Sequence, residues 1–120
     1  MNPEREHILK QAFPTFYGGL YGFGCGDGWY TLLSDLGRAL DGIPVKAVQV
    51  KEKFGTLRCY TSTESSVPEE THAFIDAAVH EAEQASGTTC EDCGAPGERV
   101  GGGWMRTLCP VCAKAHRDAR

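Results

Sequence analysis

The sequence predicts an α+β fold: three helices and a β-hairpin form the body, and a small cysteine-built unit closes the chain. Three observations carry that expectation. Trp29, Leu32, Leu33, Leu36 and Leu40 recur at helical spacing and give one apolar stripe. Val45 to Lys51 and Thr56 to Thr61 alternate in character on either side of Glu52-Lys53-Phe54-Gly55, as two strands about a turn do. Cys90, Cys93, Cys109 and Cys112 form two C-x-x-C pairs near the end of the chain.

At 120 residues, 41% hydrophobic and 23% charged, the composition is that of one compact domain rather than a disordered tail. No stretch approaches the roughly 20 apolar residues a membrane span needs. Met1 to His7 is charged and leads into no apolar segment, so the expectation is no signal peptide, no membrane and a cytoplasmic address. With 15 glycines the core is marginal, and a staple would help it.

From the N-terminus, Glu4 to Ala12 has helical composition with Ile8, Leu9 and Ala12 at helical spacing, stopped by Pro14. Gly18 to Gly28 follows, a glycine-rich run holding Tyr21 and Phe23. Phosphate-cradling glycine loops follow a strand, and none precedes Gly18, so the preferred reading is a structural loop that tucks its aromatics under the domain. Asp27 is placed to cap the helix bearing the Trp29–Leu40 stripe, which Asp41-Gly42 ends. In the hairpin, Val48 and Val50 should share one face and Gln49 and Lys51 the other; Leu57 and Cys59 should face opposite to Arg58 and Tyr60. That makes Cys59 a buried thiol and leaves Cys25 a loop thiol of undecided state. After a polar linker, Ser66-Val67-Pro68-Glu69 has the form of a capping box opening a third helix. Phe74, Ile75, Ala78, Val79 and Ala82 form its apolar face and Gly87 its stop.

Two residues between thiols let both sulfurs of a tight knuckle reach one ion at about 2.3 Å, and two knuckles complete a tetrahedral four-cysteine zinc site. Gly94 after Cys93 can take the positive φ with which the chain leaves the knuckle. Two disulfides in a secreted protein are the alternative, against which the absence of a signal peptide weighs. A full set of protein ligands leaves no position for water or substrate, so one structural Zn²⁺ is expected. Arg99-Val100, the Gly101-Gly102-Gly103 turn and Trp104 to Leu108 read as a hairpin, and Ala113 to Arg120 has helical composition, with Pro110 acceptable in the first turn. Knuckle, hairpin and a short ligand-bearing helix resemble a treble-clef zinc finger; a zinc ribbon is the alternative. The expected division is an α+β body over residues 1–87 and a four-cysteine subdomain over 88–120 packed on it.

Twelve basic and 16 acidic side chains give a net charge of −4, which argues against a general electrostatic grip on nucleic acid. Between Thr61 and Thr89 lie Glu64, Glu69, Glu70, Asp76, Glu81 and Glu83 with no lysine or arginine, so this segment supplies the excess. It reads as a solvated helix face, or as a negative surface that docks a basic partner or imitates DNA. Glu69, Glu70, Glu81 and Trp104 of the second hairpin are therefore the candidate contacts to a protein partner. Lys51, Lys53, Arg58 and Arg106, with Tyr60 beside them, are the candidate contacts of the alternative, a nucleic-acid-binding regulator.

Catalysis is not expected. A zinc deaminase needs H-x-E before its P-C-x-x-C, and a zincin needs H-E-x-x-H; His80-Glu81 lacks the second histidine. His116, four residues after Cys112, is in reach of the surroundings of the site rather than a ligand.

Gly24-Cys25-Gly26-Asp27-Gly28-Trp29, Val48 to Arg58 and Cys90 to Gly94 with Gly103 to Cys109 resemble a group of small uncharacterised proteins encoded by phages and prophages. The resemblance spans most of the chain from Tyr21 onward. It implies a setting, the cytoplasm of an infected bacterium, where small non-catalytic proteins bind and redirect host or phage machinery, including defence systems; it implies no activity.

Overall fold

Asn2 opens the first helix: its side-chain oxygen accepts the N–H groups of Glu4 and Arg5, and Pro3 occupies the position where a missing N–H costs nothing. The computed structural model describes residues 1–119; the expected end of the last helix at Arg120 lies outside them. Helix α1 (Pro3–Ala12) buries Leu9, and a short α2 (Pro14–Tyr17) that the sequence reading did not foresee buries Phe16 and Tyr17. A 3-10 turn (Asp27–Trp29) leads into α3 (Tyr30–Ala39). Strands β1 (Val45–Lys53) and β2 (Thr56–Thr63) form an antiparallel hairpin, and α4 (Glu69–Ser86) packs on β2 and α3. The C-terminal unit holds a second hairpin, β3 (Glu98–Val100) with β4 (Arg106–Leu108), and then α5 (Pro110–Asp118). The fold is α+β, as expected.

The core gathers where α1, α2, α3, the hairpin and α4 meet, around Tyr17, Trp29, Leu33, Leu57 and Ile75. The Trp29–Leu40 stripe faces inward, with Leu32 half-buried at its edge. Tyr17 donates its hydroxyl to the Leu33 carbonyl at 2.6 Å, so the ring's polar end is satisfied within the core.

Four local expectations are corrected. Asp27 does not cap α3: its carboxylate accepts the Asn2 N–H at 2.7 Å, and α3 has no side-chain cap. The capping box does not form either. Pro68 holds the N-cap position and disfavours helical backbone at Val67, so the helix begins at Glu69 and Ser66 lies too far upstream. Val48 does not share a face with Val50. The pairing shifts between Ala47 and Gln49, a bulge leaves Val48 unpaired, and its side chain is exposed while Ala47 and Val50 are buried. Phe74 is exposed as well, because the contact stripe runs along Ile75, Ala82 and Ser86, and a neighbour one residue away is turned by about 100°.

The turn between β1 and β2 places Phe54 and Gly55 at φ +55° and +85°, the pair of positive values that matches strand twist in a two-residue hairpin. A short stretch of the glycine-rich loop lies along the free edge of β1, where Gly24 N donates to the Val50 carbonyl and Glu52 N to the Gly24 carbonyl, both at 2.9 Å. The loop thus covers the edge of β1 and buries Phe23, but against expectation it leaves Tyr21 fully exposed.

Ser86, fully buried at the end of α4, accepts the Leu57 N–H at 2.8 Å and donates to the Glu83 carbonyl at 2.6 Å. Ser86→Ala should lower stability by about 1–3 kcal/mol, since it orphans a buried N–H. Urea unfolding monitors this, and an unchanged midpoint would show that the Leu57 N–H finds another partner.

Candidate metal centre

Two local structures bring the four thiols together. The first is a knuckle over Cys90–Gly94, closed by the Gly94 N–H to the Cys90 carbonyl at 2.9 Å, with Gly94 at φ +85° as its position demands. The second is the first turn of α5, where Cys109 is the N-cap and its sulfur accepts the Cys112 N–H at 3.4 Å. The Glu91 N–H donates to the Thr107 carbonyl at 2.9 Å and ties the knuckle to β4, which delivers Cys109.

The sulfurs of Cys90, Cys93, Cys109 and Cys112 all lie within 4.8 Å of one another, and Cys93 and Cys109 are 3.6 Å apart. A tetrahedron with metal–sulfur bonds of 2.3 Å has edges of about 3.8 Å, so the four donors fit one metal ion and are compatible with zinc. Cys90 and Cys109 are buried, Cys112 is half-buried and Cys93 reaches solvent. The Cys112 N–H pulls the Cys109 thiol down to about 7, while the neighbouring Cys109 thiol pushes Cys112 up. Four thiolates in this space oppose one another, and a bound cation removes that opposition. Cys25 and Cys59 stand outside the cluster; burial pushes each of them up to about 12, as expected of inert core thiols.

Around the sulfurs lies a charged network that sequence reasoning largely missed. Asp92 takes the Arg106 guanidinium at 3.0 Å on one carboxylate oxygen and His116 Nε2 at 2.6 Å on the other. His116 thus stands beside the site as expected, and acts on the knuckle through Asp92. Arg106 also faces Glu91 at 3.4 Å. Its guanidinium is therefore drawn to two carboxylates, although its backbone lies against Gly55 in the turn of the first hairpin.

Glu91 is buried at 4% exposure and joins the knuckle to the glycine-rich loop. Its carboxylate accepts the Gly26 N–H at 2.9 Å, and its backbone carbonyl accepts the Gly28 N–H at 2.7 Å. Burial raises its carboxyl, opposed by the Gly26 N–H and Arg106. The Trp29 indole adds a bond to the Thr89 carbonyl at 2.9 Å. From the other side, the turn of the first hairpin reaches the same unit, where buried Thr107 donates its hydroxyl to the Gly55 carbonyl at 2.6 Å. Nothing in local spacing marks Glu91, since its loop partner Gly26 lies 65 positions away in the chain.

The remaining candidates are dispersed. Glu69 and Glu70 stand exposed in the first turn of α4, Glu81 is exposed about three turns further on, and none of the three forms an ion pair among the described residues. Trp104, 76% exposed, projects from the tip between β3 and β4. On the first hairpin, Lys51 lies directly across from Arg58, with its ammonium 5.8 Å from the Tyr60 ring centre, and Lys53 sits over Phe54. No described helix is long and apolar enough to cross a membrane. No family model, curated protein or solved structure matches the chain.

Proposed function

We propose that the chain is a non-catalytic zinc protein in which Cys90, Cys93, Cys109 and Cys112 hold one structural Zn²⁺, shape a treble-clef-like finger over residues 88–120, and present a surface that binds a protein partner. The four-thiol cluster carries this reading. Four protein ligands complete the coordination of the ion, which then ties chain segments together and polarises no substrate. The partner would be engaged either through exposed Trp104, of the residue type that anchors interfaces, or through the α4 carboxylates Glu69, Glu70 and Glu81, which are unpaired among the described residues and suit a basic partner. The setting that fits the sequence resemblance is the bacterial cytoplasm during phage infection, with a host or phage protein as the target.

Native mass spectrometry tests the metal half of the proposal: one zinc per chain is expected, and a metal-free, disulfide-linked native mass would overturn it. For the partner, capture from bacterial lysate should recover one protein stoichiometrically. Trp104→Ala or the Glu69, Glu70 and Glu81 charge reversals should reduce recovery at least tenfold, as loss of a central contact does. Recovery unchanged in both variants would remove both surfaces from the proposal.

A further inference from the structure

The outer face of the first hairpin concentrates the positive charge of an acidic chain. Lys46, Lys51, Lys53 and Arg58 lie on β1 and β2, and Glu52 is the one carboxylate among them, its Oε2 already accepting the Gly55 N–H at 2.7 Å. Lys51 and Arg58 are a cross-strand pair, and like charges directly opposite one another destabilise a hairpin. No carboxylate pairs with either among the described residues. Beside this pair runs an open groove of about 730 Å³ between the glycine-rich loop and β1, lined by Tyr21, Gly24, Val48, Lys51 and Tyr60 and by Glu6, whose carboxylate is engaged by the Phe23 N–H at 2.8 Å. Tyr21 is fully exposed, Tyr60 is 45% exposed, and the bulge turns Val48 outward.

We infer that this groove binds single-stranded nucleic acid, with Lys51 and Arg58 taking a backbone phosphate and Tyr60 and Tyr21 stacking bases. An anion between the two cations removes their mutual repulsion, which no carboxylate of the described residues does. The ammonium of Lys51 near the Tyr60 ring puts a phosphate position next to a stacking surface, the combination by which single strands are held without sequence preference. A duplex keeps its bases stacked inside and offers the tyrosines nothing. Arg106, bound to Glu91 and Asp92, takes no part. The site goes beyond the protein-partner proposal and shares no residue with it.

Fluorescence polarisation of a labelled oligothymidylate of about a dozen nucleotides, titrated with the zinc-loaded full chain, tests it. Affinity should fall with salt at a log–log slope of about −0.7 to −1.4, the signature of one or two neutralised phosphates on a single strand, and Lys51→Ala should make that slope shallower. Tyr21→Ala and Tyr60→Ala should each weaken binding about tenfold and leave the slope alone. Tyr21 makes no buried contact, so its variant decides the matter even if Tyr60→Ala perturbs the hairpin. Trp104→Ala should leave affinity unchanged, which separates this result from any failure of the protein-partner proposal. No binding at low salt, equal binding of a matched duplex, or indifference to the loss of Tyr21 would each overturn the inference.

Discussion

Stripping the metal with a strong chelator should unfold the chain from about Cys90 onward and leave the body folded. The buried apolar cluster of the C-terminal unit comprises Cys90, Leu108, Cys109 and Ala113, and two of those four belong to the thiol cluster that could hold the metal. So small a core cannot offset the conformational entropy of ordering the segment, about 1–2 kcal/mol per residue for the backbone alone. Coordination by four thiolates contributes on the order of 10 kcal/mol in small zinc units, enough to decide the outcome. Hydrogen exchange should show loss of protection across β3, β4 and α5 when the metal leaves, while α3 and β1 keep theirs. Gly26 and Gly28 should lose protection with the C-terminal unit, because their N–H groups are held by Glu91. Cys90→Ser should reproduce the same pattern. Full protection in the metal-free protein would show that packing alone holds the unit.

The second large effect is expected at a residue with no side chain. A Cβ on Gly28 would stand 2.1 Å from the Cys90 carbonyl oxygen and 2.6 Å from the Glu91 carbonyl carbon and oxygen. All of these are backbone atoms of the knuckle, which cannot turn aside as a flexible side chain does. Gly28→Ala should therefore lower stability by about 3 kcal/mol or more, at the upper end for overpacking. The knuckle would have to move to relieve the clash, so the variant should also lose metal to a competing chelator more readily. Gly19→Ala is the control, since nothing lies within 4 Å of a Cβ there, and it should stay within about 0.5 kcal/mol of the parent. Equal urea midpoints for the two variants would show that the loop is not seated on the knuckle.

Gly28 also shows where sequence reading reaches its limit. The run from Gly18 to Gly28 is conspicuous as composition, but its use lies in contacts with Cys90 and Glu91, far along the chain. A glycine required for close approach and one required for a turn look alike until the opposing backbone is in place. The same holds for Arg106. By composition it joins Lys51, Lys53 and Arg58 as a free cation, and only the folding of β4 beside the knuckle commits it to Glu91 and Asp92. Val48 illustrates a subtler case, in which strict alternation is the default for a strand and one bulge reverses it without any mark in the residue types.

By itself, the sequence determined the α+β class, the inward stripe of α3, the two hairpins, and the four thiols that converge on one point. Each follows from neighbours a few residues apart, through helical or strand periodicity and the reach of two thiols in one knuckle. The tertiary structure alone decided that Glu91 joins the metal knuckle to the glycine-rich loop, that Tyr21 and Val48 face solvent beside Lys51, and that α4 begins without its expected cap. Those outcomes depend on which surfaces meet after the chain has closed on itself, and close packing of distant backbone is settled by shape that no local pattern encodes.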